Sequence, residues 1–338
     1  EIKIGNGGYR SLLDMDILSY EQHLNMRDAL MSRSLTVKDR KGRITKVESR
    51  LMASMADHHY AALRYSLIPV NYNDQISVKT SLDGTVVNDG VPRYRGLNNK
   101  HLAPVRQGAL DDGIMLVVET TQSHVRIAYC AKNVFYADST RTAVKRSVRT
   151  EPGLVTELLT FKAKKGSVYT FDKLVCMFTS RDENTASPLD AARAGLTKVS
   201  SFFSMFKSHQ SAWRALWENA DIRIHGDEFA QKVVRLHIYH LLTTASPHSA
   251  LIDVGVPARG LHGEAYRGHV FWDSLFILPF FYRRFPEIAR TSLMYRYRRL
   301  DAARVYAQEN GYRGAMFPWQ TAEDGQGETQ VIHYNPVS

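Results

Sequence analysis

Two stretches of this 338-residue chain concentrate side chains able to do chemistry. The first is Pro257-Ala258-Arg259-Gly260-Leu261-His262-Gly263-Glu264-Ala265-Tyr266-Arg267-Gly268-His269-Val270-Phe271-Trp272-Asp273. Its glycines let the backbone turn tightly and come close to a ligand. Trp272-Asp273 sets a flat apolar face beside an ionised acceptor. A pyranose needs both, because its C–H face stacks on an aromatic ring and its hydroxyls donate to a carboxylate. The second stretch, Glu309 to Gly325, places Tyr312, Trp319 and Gln320 among further glycines. It lies 319 − 273 = 46 residues beyond the first, about one helix-loop-helix repeat. In a ring of helix pairs, loops one repeat apart meet at the same end, so both stretches are expected to wall one pocket.

Other chemistries find little support. His262, Glu264 and His269 lack the helical His-x-x-x-His spacing of a zinc protease, so no metal is expected there. There is no Gly-x-x-x-x-Gly-Lys-Ser/Thr phosphate loop and no Gly-x-Ser-x-Gly nucleophile elbow. Cys130 and Cys176 both sit in apolar, strand-like segments and read as buried thiols.

Two kinds of element must position these stretches. Up to about residue 184 the chain is β-rich. Leu35–Lys38 and Arg43–Val47 bracket the turn 39–42. Tyr60–Pro69, Gln75–Leu82, Gly113–Glu119, His124–Cys130, Leu154–Lys162, Ser167–Phe171 and Leu174–Thr179 follow. Many short strands at near-regular spacing predict an antiparallel sandwich. Ser187 then reads as a helix N-cap with Pro188 at the first helical position. Leu189, Ala192, Leu196 and Val199 form an apolar stripe, and Trp213 and Trp217, four apart, share one helix face as core residues. Asp221–Asp227 interrupts the helix. Phe229–Thr244, Val270–Phe281 and Pro286–Gln308 are expected to be helical, the first buried among other helices. The expected organisation is a β-sandwich over 1–184, a helical linker over 185–228, and the first, incomplete part of an all-helical domain over 229–338.

Composition bounds the function. Lys and Arg total 44 and Asp and Glu 34, a formal charge of +10. The basic runs 38–43, 145–146 and 296–299 are scattered and read as solvated faces, so no nucleic-acid partner is expected. No run of about 18 apolar residues exists, so no membrane-spanning helix is expected. The N-terminus lacks the apolar core of a signal peptide, which makes the cytoplasm the expected location.

The two rich stretches give a sharper reading. Ala258-Arg259-Gly260-Leu261-His262-Gly263-Glu264, Tyr266-Arg267-Gly268-His269-Val270-Phe271-Trp272-Asp273 and Gly311-Tyr312-Arg313-Gly314-Ala315-Met316-Phe317-Pro318-Trp319 resemble glycoside hydrolase family 65. That family comprises the maltose, trehalose and kojibiose phosphorylases and related hydrolases. Leu24-Asn25-Met26-Arg27 and Arg50-Leu51-Met52-Ala53-Ser54-Met55-Ala56-Asp57 resemble its N-terminal β domain. The resemblance implies a β-sandwich, a helical linker and an (α/α)₆ barrel. It implies inverting cleavage of an α-glucosidic bond in a glucose disaccharide, in which an acid protonates the leaving oxygen and water or phosphate attacks the opposite face. The expected reaction is hydrolysis, with phosphorolysis to β-glucose 1-phosphate as the alternative and a non-catalytic carbohydrate-binding protein as the reading of another class. By resemblance Phe271, Trp272 and Asp273, with Trp319 and Gln320, line the glucose subsite, and the general acid is expected beyond Ser338. No cofactor is implied, only phosphate as co-substrate if the enzyme is a phosphorylase. The expected partners are the disaccharide and the remainder of the catalytic domain, with a homodimer left open. Leu275 and Gln320 depart from the acidic residues common at their positions in the family, which points to a subgroup.

Overall fold

The computed structural model describes residues 1–183, 185–261 and 263–328. Asn184 and His262 therefore lie outside the described residues. Two antiparallel sheets carry the first half. The smaller has the order β1 (Ile2–Ile4), β6 (Asp74–Asp83), β12 (Leu154–Ala163), β11 (Lys145–Glu151). The larger has the order β2 (Asp16–Asn25), β3 (Leu30–Lys38), β4 (Ile44–Ala53), β5 (Tyr60–Pro69), β13 (Tyr169–Thr179), β9 (Arg126–Ala137), β8 (Gly113–Thr120), β7 (Leu102–Leu110), with the two-residue β10 (Thr140–Arg141) beside β9.

Alternation puts one face of each sheet into a shared core. Ile76 and Leu159 of the small sheet meet Leu35, Val47, Leu67 and Phe171 of the large one. Phe135, Phe161, Tyr169 and Phe171 form a contiguous aromatic cluster there, with ring centroids 4.7–6.3 Å apart. This is the sandwich that strand spacing predicts. Ser167–Phe171 and Leu174–Thr179, expected as two strands, form the single strand β13. Asp172 and Lys173 interrupt its apolar pattern, yet both are accommodated. Asp172 is fully buried against the Arg64 guanidinium at 2.9 Å, and Lys173 donates to the Ser81 carbonyl at 2.6 Å.

The outer face of the large sheet is covered by helices. In α1 (Pro188–Thr197) the Ser187 hydroxyl accepts from the Asp190 amide, and Leu189, Ala192 and Leu196 are buried, as the stripe predicts. Gly195 lets α1 approach closely, since a Cβ there would lie 2.5 Å from Cys176 Sγ. Cys130 and Cys176 are register partners on β9 and β13, both buried and free. Burial pushes their thiols up, to about 11 and about 12. The chain breaks at 198–201 before α2 (Phe202–Ala220), whose Trp213 is buried.

Contacts divide the chain into two compact units. One comprises residues 1–87 and 100–215; the other comprises 88–99 and the chain from Leu216 onward. In the second, Asp227 caps α3 (Glu228–Thr244), accepting from the Ala230 amide at 2.9 Å. Only Ile238 and Leu242 of α3 are buried, so the helix is less enclosed than its broad apolar surface predicts. α4 is Ser274–Arg284, so Val270–Asp273 is not helical. The segment expected as one helix from Pro286 splits into α5 (Pro286–Tyr297) and α6 (Leu300–Glu309). Among the described residues no helix is long and apolar enough to cross a membrane.

The basic runs are not simply solvated. Arg43 pairs with Asp39 and Asp74, and Arg146 with Glu157. In the third run Arg299 is buried and bonds Asp253, while Tyr297 is exposed. Charged side chains that find fixed partners can be drawn into the structure; sequence composition does not reveal those partners.

Candidate sugar-binding site

The segment before α4 and the segment after α6 meet in the second unit. Val270 and Thr321 exchange backbone hydrogen bonds at 3.0 and 3.1 Å, making a short antiparallel bridge. Arg296 on α5 pins both sides: Nη2 donates to the Phe271 carbonyl at 2.7 Å and Nη1 to Thr321 Oγ1 at 3.4 Å. The Tyr295 hydroxyl donates to the Ala322 carbonyl and Arg299 Nε to the Glu323 carbonyl, both at 2.6 Å. Gly255 makes this junction possible, because a Cβ there would lie 2.5 Å from Val270 and 2.9 Å from Tyr295.

This bridge brings the two indoles together. The rings of Trp272 and Trp319 lie 5.9 Å apart at 34°, and their side chains are 52% and 48% exposed. Phe271 meets Trp319 edge-on at 6.2 Å and is itself buried. Gln320 is buried too, and its Nε2 donates to His269 Nδ1 at 2.6 Å. Burial, with the Arg267 guanidinium adding to it, pushes the His269 imidazole down to about 4. His269 is therefore neutral near pH 7, with Nδ1 free to accept.

Asp273 takes a different direction. It stands at the N-terminal end of α4 without capping it and lines a cavity of about 870 Å³. His237, His240 and Thr244 of α3, residues 256–260 and Glu264 form other parts of the wall. The indoles of Trp272 and Trp319 are not among its lining residues. The expected single pocket is therefore resolved into an aromatic platform and an acid-lined cavity. Trp272 lies in the bend before α4 and Asp273 at the helix's N-terminal end, and the two side chains meet different surroundings: Trp272 the rings of Trp319 and Phe276, Asp273 the cavity. The cavity falls within the usual range for small-molecule sites, roughly 300–1,000 Å³.

Further pins shape the loop. Glu264 Oε2 accepts from the Gly90 amide at 2.7 Å, and the Tyr266 amide donates to the Tyr94 hydroxyl at 3.2 Å, so segment 88–99 holds the 264–268 turn. Tyr266 and Arg267 both adopt left-handed backbone, φ 60° and 58°, which costs roughly 1–3 kcal/mol per residue. Arg267 Nη1 is buried with no hydrogen-bond partner among the described residues. Sequence reasoning passed over His237, His240 and Thr244. Their spacing of three and four was the available signal, masked by the apolar residues between them. His262 lies outside the described residues.

Comparisons with known proteins agree across the chain. The family model "Glycosyl hydrolase family 65, N-terminal domain" matches residues 1–216, and "Glycosyl hydrolase family 65 central catalytic domain" matches 235–338. An uncharacterised glycosyl hydrolase of Mycobacterium tuberculosis is 38% identical over 336 residues, 99% of this chain and 25% of the relative. The kojibiose phosphorylase of Caldanaerobacter subterraneus subsp. tengcongensis is 38% identical over 93% of this chain and 41% of its own length. The alpha,alpha-trehalose phosphorylase of Thermoanaerobacter brockii is 33% identical, over 92% and 40%. A solved human-microbiome protein provisionally named kojibiose phosphorylase shares the fold, with a TM-score of 0.84 at 21% identity over 97% of this chain and 42% of that one. The chain thus spans between a quarter and somewhat over two-fifths of these relatives. With both of its domains matched, the chain belongs to glycosyl hydrolase family 65.

Proposed function

We propose that this chain serves an enzyme that cleaves the α-glucosidic bond of a glucose disaccharide with inversion. The observation that carries the reading is Asp273, an uncapping carboxylate on the wall of a cavity of about 870 Å³, next in sequence to a half-exposed indole. Asp273 accepts hydrogen bonds from glucose hydroxyls. Trp272 and Trp319 offer the apolar platform that stacks on a sugar face. Phe271 and Gln320, both buried, border that platform: Phe271 meets Trp319 edge-on, and Gln320, next in sequence to Trp319, bonds His269. One carboxylic acid protonates the leaving oxygen while the attacking group enters from the opposite face of the ring. Glu264, already engaged with the Gly90 amide, is not proposed as that acid.

Phosphate is the favoured attacking group. The names of the relatives, kojibiose and trehalose phosphorylases among them, support it. Hydrolysis remains a second reading because the Mycobacterium tuberculosis relative, matched over 99% of this chain, is named a glycosyl hydrolase. Neither reaction as written uses a cofactor, and the cytoplasm is the proposed location. Incubating the full-length protein with α-1,1-, α-1,2-, α-1,3- and α-1,4-linked glucobiose, with and without phosphate, tests this by thin-layer chromatography. Glucose 1-phosphate formed only with phosphate supports phosphorolysis; glucose released without it supports water. No product from any of the four contradicts the proposal.

A further inference from the structure

The bridge between the two site loops does more than join their backbones. Val270 pairs with Thr321, and Thr321 pairs in turn with Gly327, so the segment around Thr321 has a neighbour on each side. Counting outward from the Val270–Thr321 pair, Phe271 stands opposite Gln320 and Trp272 opposite Trp319. The observed contacts follow that count. The indoles meet at 5.9 Å and stay about half exposed, whereas Phe271 and Gln320 are buried. The meeting of the two indoles is thus a matter of register. A slip of one residue would send each side chain to the other face.

The bridge is too short to fix its own register firmly. Its backbone supplies two hydrogen bonds between Val270 and Thr321, and the Glu328 amide donates to the Gln320 carbonyl at 2.9 Å. Arg296 and Tyr295 bond the Phe271 carbonyl, the Thr321 hydroxyl and the Ala322 carbonyl, so they hold each loop to α5. The 2.6 Å bond between His269 and Gln320 is of another kind, because it joins side chains of the two loops directly. One end adjoins Trp319 in sequence and the other lies on the short run leading to Trp272. Its chemistry is matched as well. The neutral imidazole offers a lone pair at Nδ1, and the amide gives it a proton, which an ionised carboxylate could not do. A buried amide that loses its partner is strongly disfavoured, so the pair penalises any other register.

We propose that His269 and Gln320 are positioning residues for sugar binding: their hydrogen bond fixes the register that sets Trp319 beside Trp272, and neither side chain touches the sugar. The inference rests on the reading of the indole pair as a sugar platform. Gln320, which the family resemblance places in the glucose subsite, thus acts through His269 and not on a glucose hydroxyl. The platform is ordered before the substrate arrives, which removes that ordering from the binding step.

The test has a structural and a kinetic arm, both on the full-length protein. Without sugar, two indoles this close give a coupled circular-dichroism signal in the far ultraviolet, identified as the signal that Trp272→Phe removes. His269→Leu and Gln320→Met should each abolish most of it. His269→Asn, whose Oδ1 replaces Nδ1 as acceptor, should restore most of it. On the α-glucobiose that the wild type cleaves, either single variant should raise KM by about 3- to 10-fold, more than it lowers kcat. The double variant should be no worse than the single ones, because both remove the same bond. A coupled signal unchanged in both single variants would overturn the inference. Additive losses in KM would overturn it too, since Gln320 would then meet the sugar on its own. Loss of the signal with KM unchanged would leave the hold on Trp319 standing and overturn the platform reading instead. Should both single variants fail to fold, Gln320→Asn, too short to reach His269, takes their place in both arms.

Discussion

In the sandwich, Leu67, Ile76, Leu159 and Leu174 have no exposed surface, whereas Leu275, Phe276 and Tyr282 on α4 and Tyr297 on α5 keep most of theirs exposed. The polar contacts differ in the same sense. In the β-rich unit a carboxylate is fully buried: Asp172 accepts from Arg64 at 2.9 Å and from the Phe202 amide at 3.1 Å. In the helical unit the site loops are held by bonds from side chains to loop carbonyls, chiefly those of Arg296, Tyr295 and Arg299. The first unit is stabilised by its own core. The second presents its functional side chains on segments that depend on a few polar pins. Damage to a pin should therefore loosen the site while leaving the sandwich intact.

The largest effect is expected at Asp172. Asp172→Ala strands the Arg64 guanidinium and the Phe202 amide, and breaking a buried pair costs about 3–5 kcal/mol. Urea unfolding of the β-rich unit should show that loss; a change below about 1 kcal/mol would mean the pair behaves like a surface one. Arg296→Ala comes next. It removes a charge-assisted bond to the Phe271 carbonyl, typically about 1.5–3 kcal/mol. Hydrogen exchange should quicken at residues 269–273 and 318–322, with sandwich amides unchanged. Uniform acceleration across both units would erase the contrast.

His269 gives a smaller, pH-dependent effect. Its pKa is pushed down to about 4 in the folded chain, against 6.5 for an unperturbed imidazole. The unfolded state therefore binds the extra proton first. The helical unit should lose stability as pH falls from about 6.5 toward 4, by about 1–2 kcal/mol once partial exposure is allowed for. His269→Gln, which does not titrate, should flatten that slope in thermal unfolding followed across this range.

The contrast also explains what the sequence reveals. The interior strands β3–β6, β8, β9, β12 and β13 are visible as apolar alternation or apolar runs. The strands that the sequence does not reveal, β1, β2, β7, β10 and β11, all lie at sheet margins. Nearly every residue of β2 and β11 is exposed, so no buried face imposes a period on their side chains. The reading of two strands in place of β13 has a related cause, since Asp172-Lys173 looks like a turn until Arg64 and Ser81 supply its partners. In the site, the meeting of the two rich stretches follows from their separation of one helical repeat. The divergence of Trp272 from Asp273 arises in the non-helical turn before α4, where the sequence predicts helix from Val270, and the third contribution, from α3, is hidden because its histidines lie among apolar residues.

The central claim is that Asp273 grips the sugar. It is tested most directly by steady-state kinetics of Asp273→Ala in the full-length protein, on whichever α-glucobiose the wild type cleaves. Loss of a charge-assisted bond worth about 1.5–3 kcal/mol predicts a fall in kcat/KM of about 10- to 150-fold, with the thermal midpoint unchanged. Wild-type kcat/KM in that variant would contradict it.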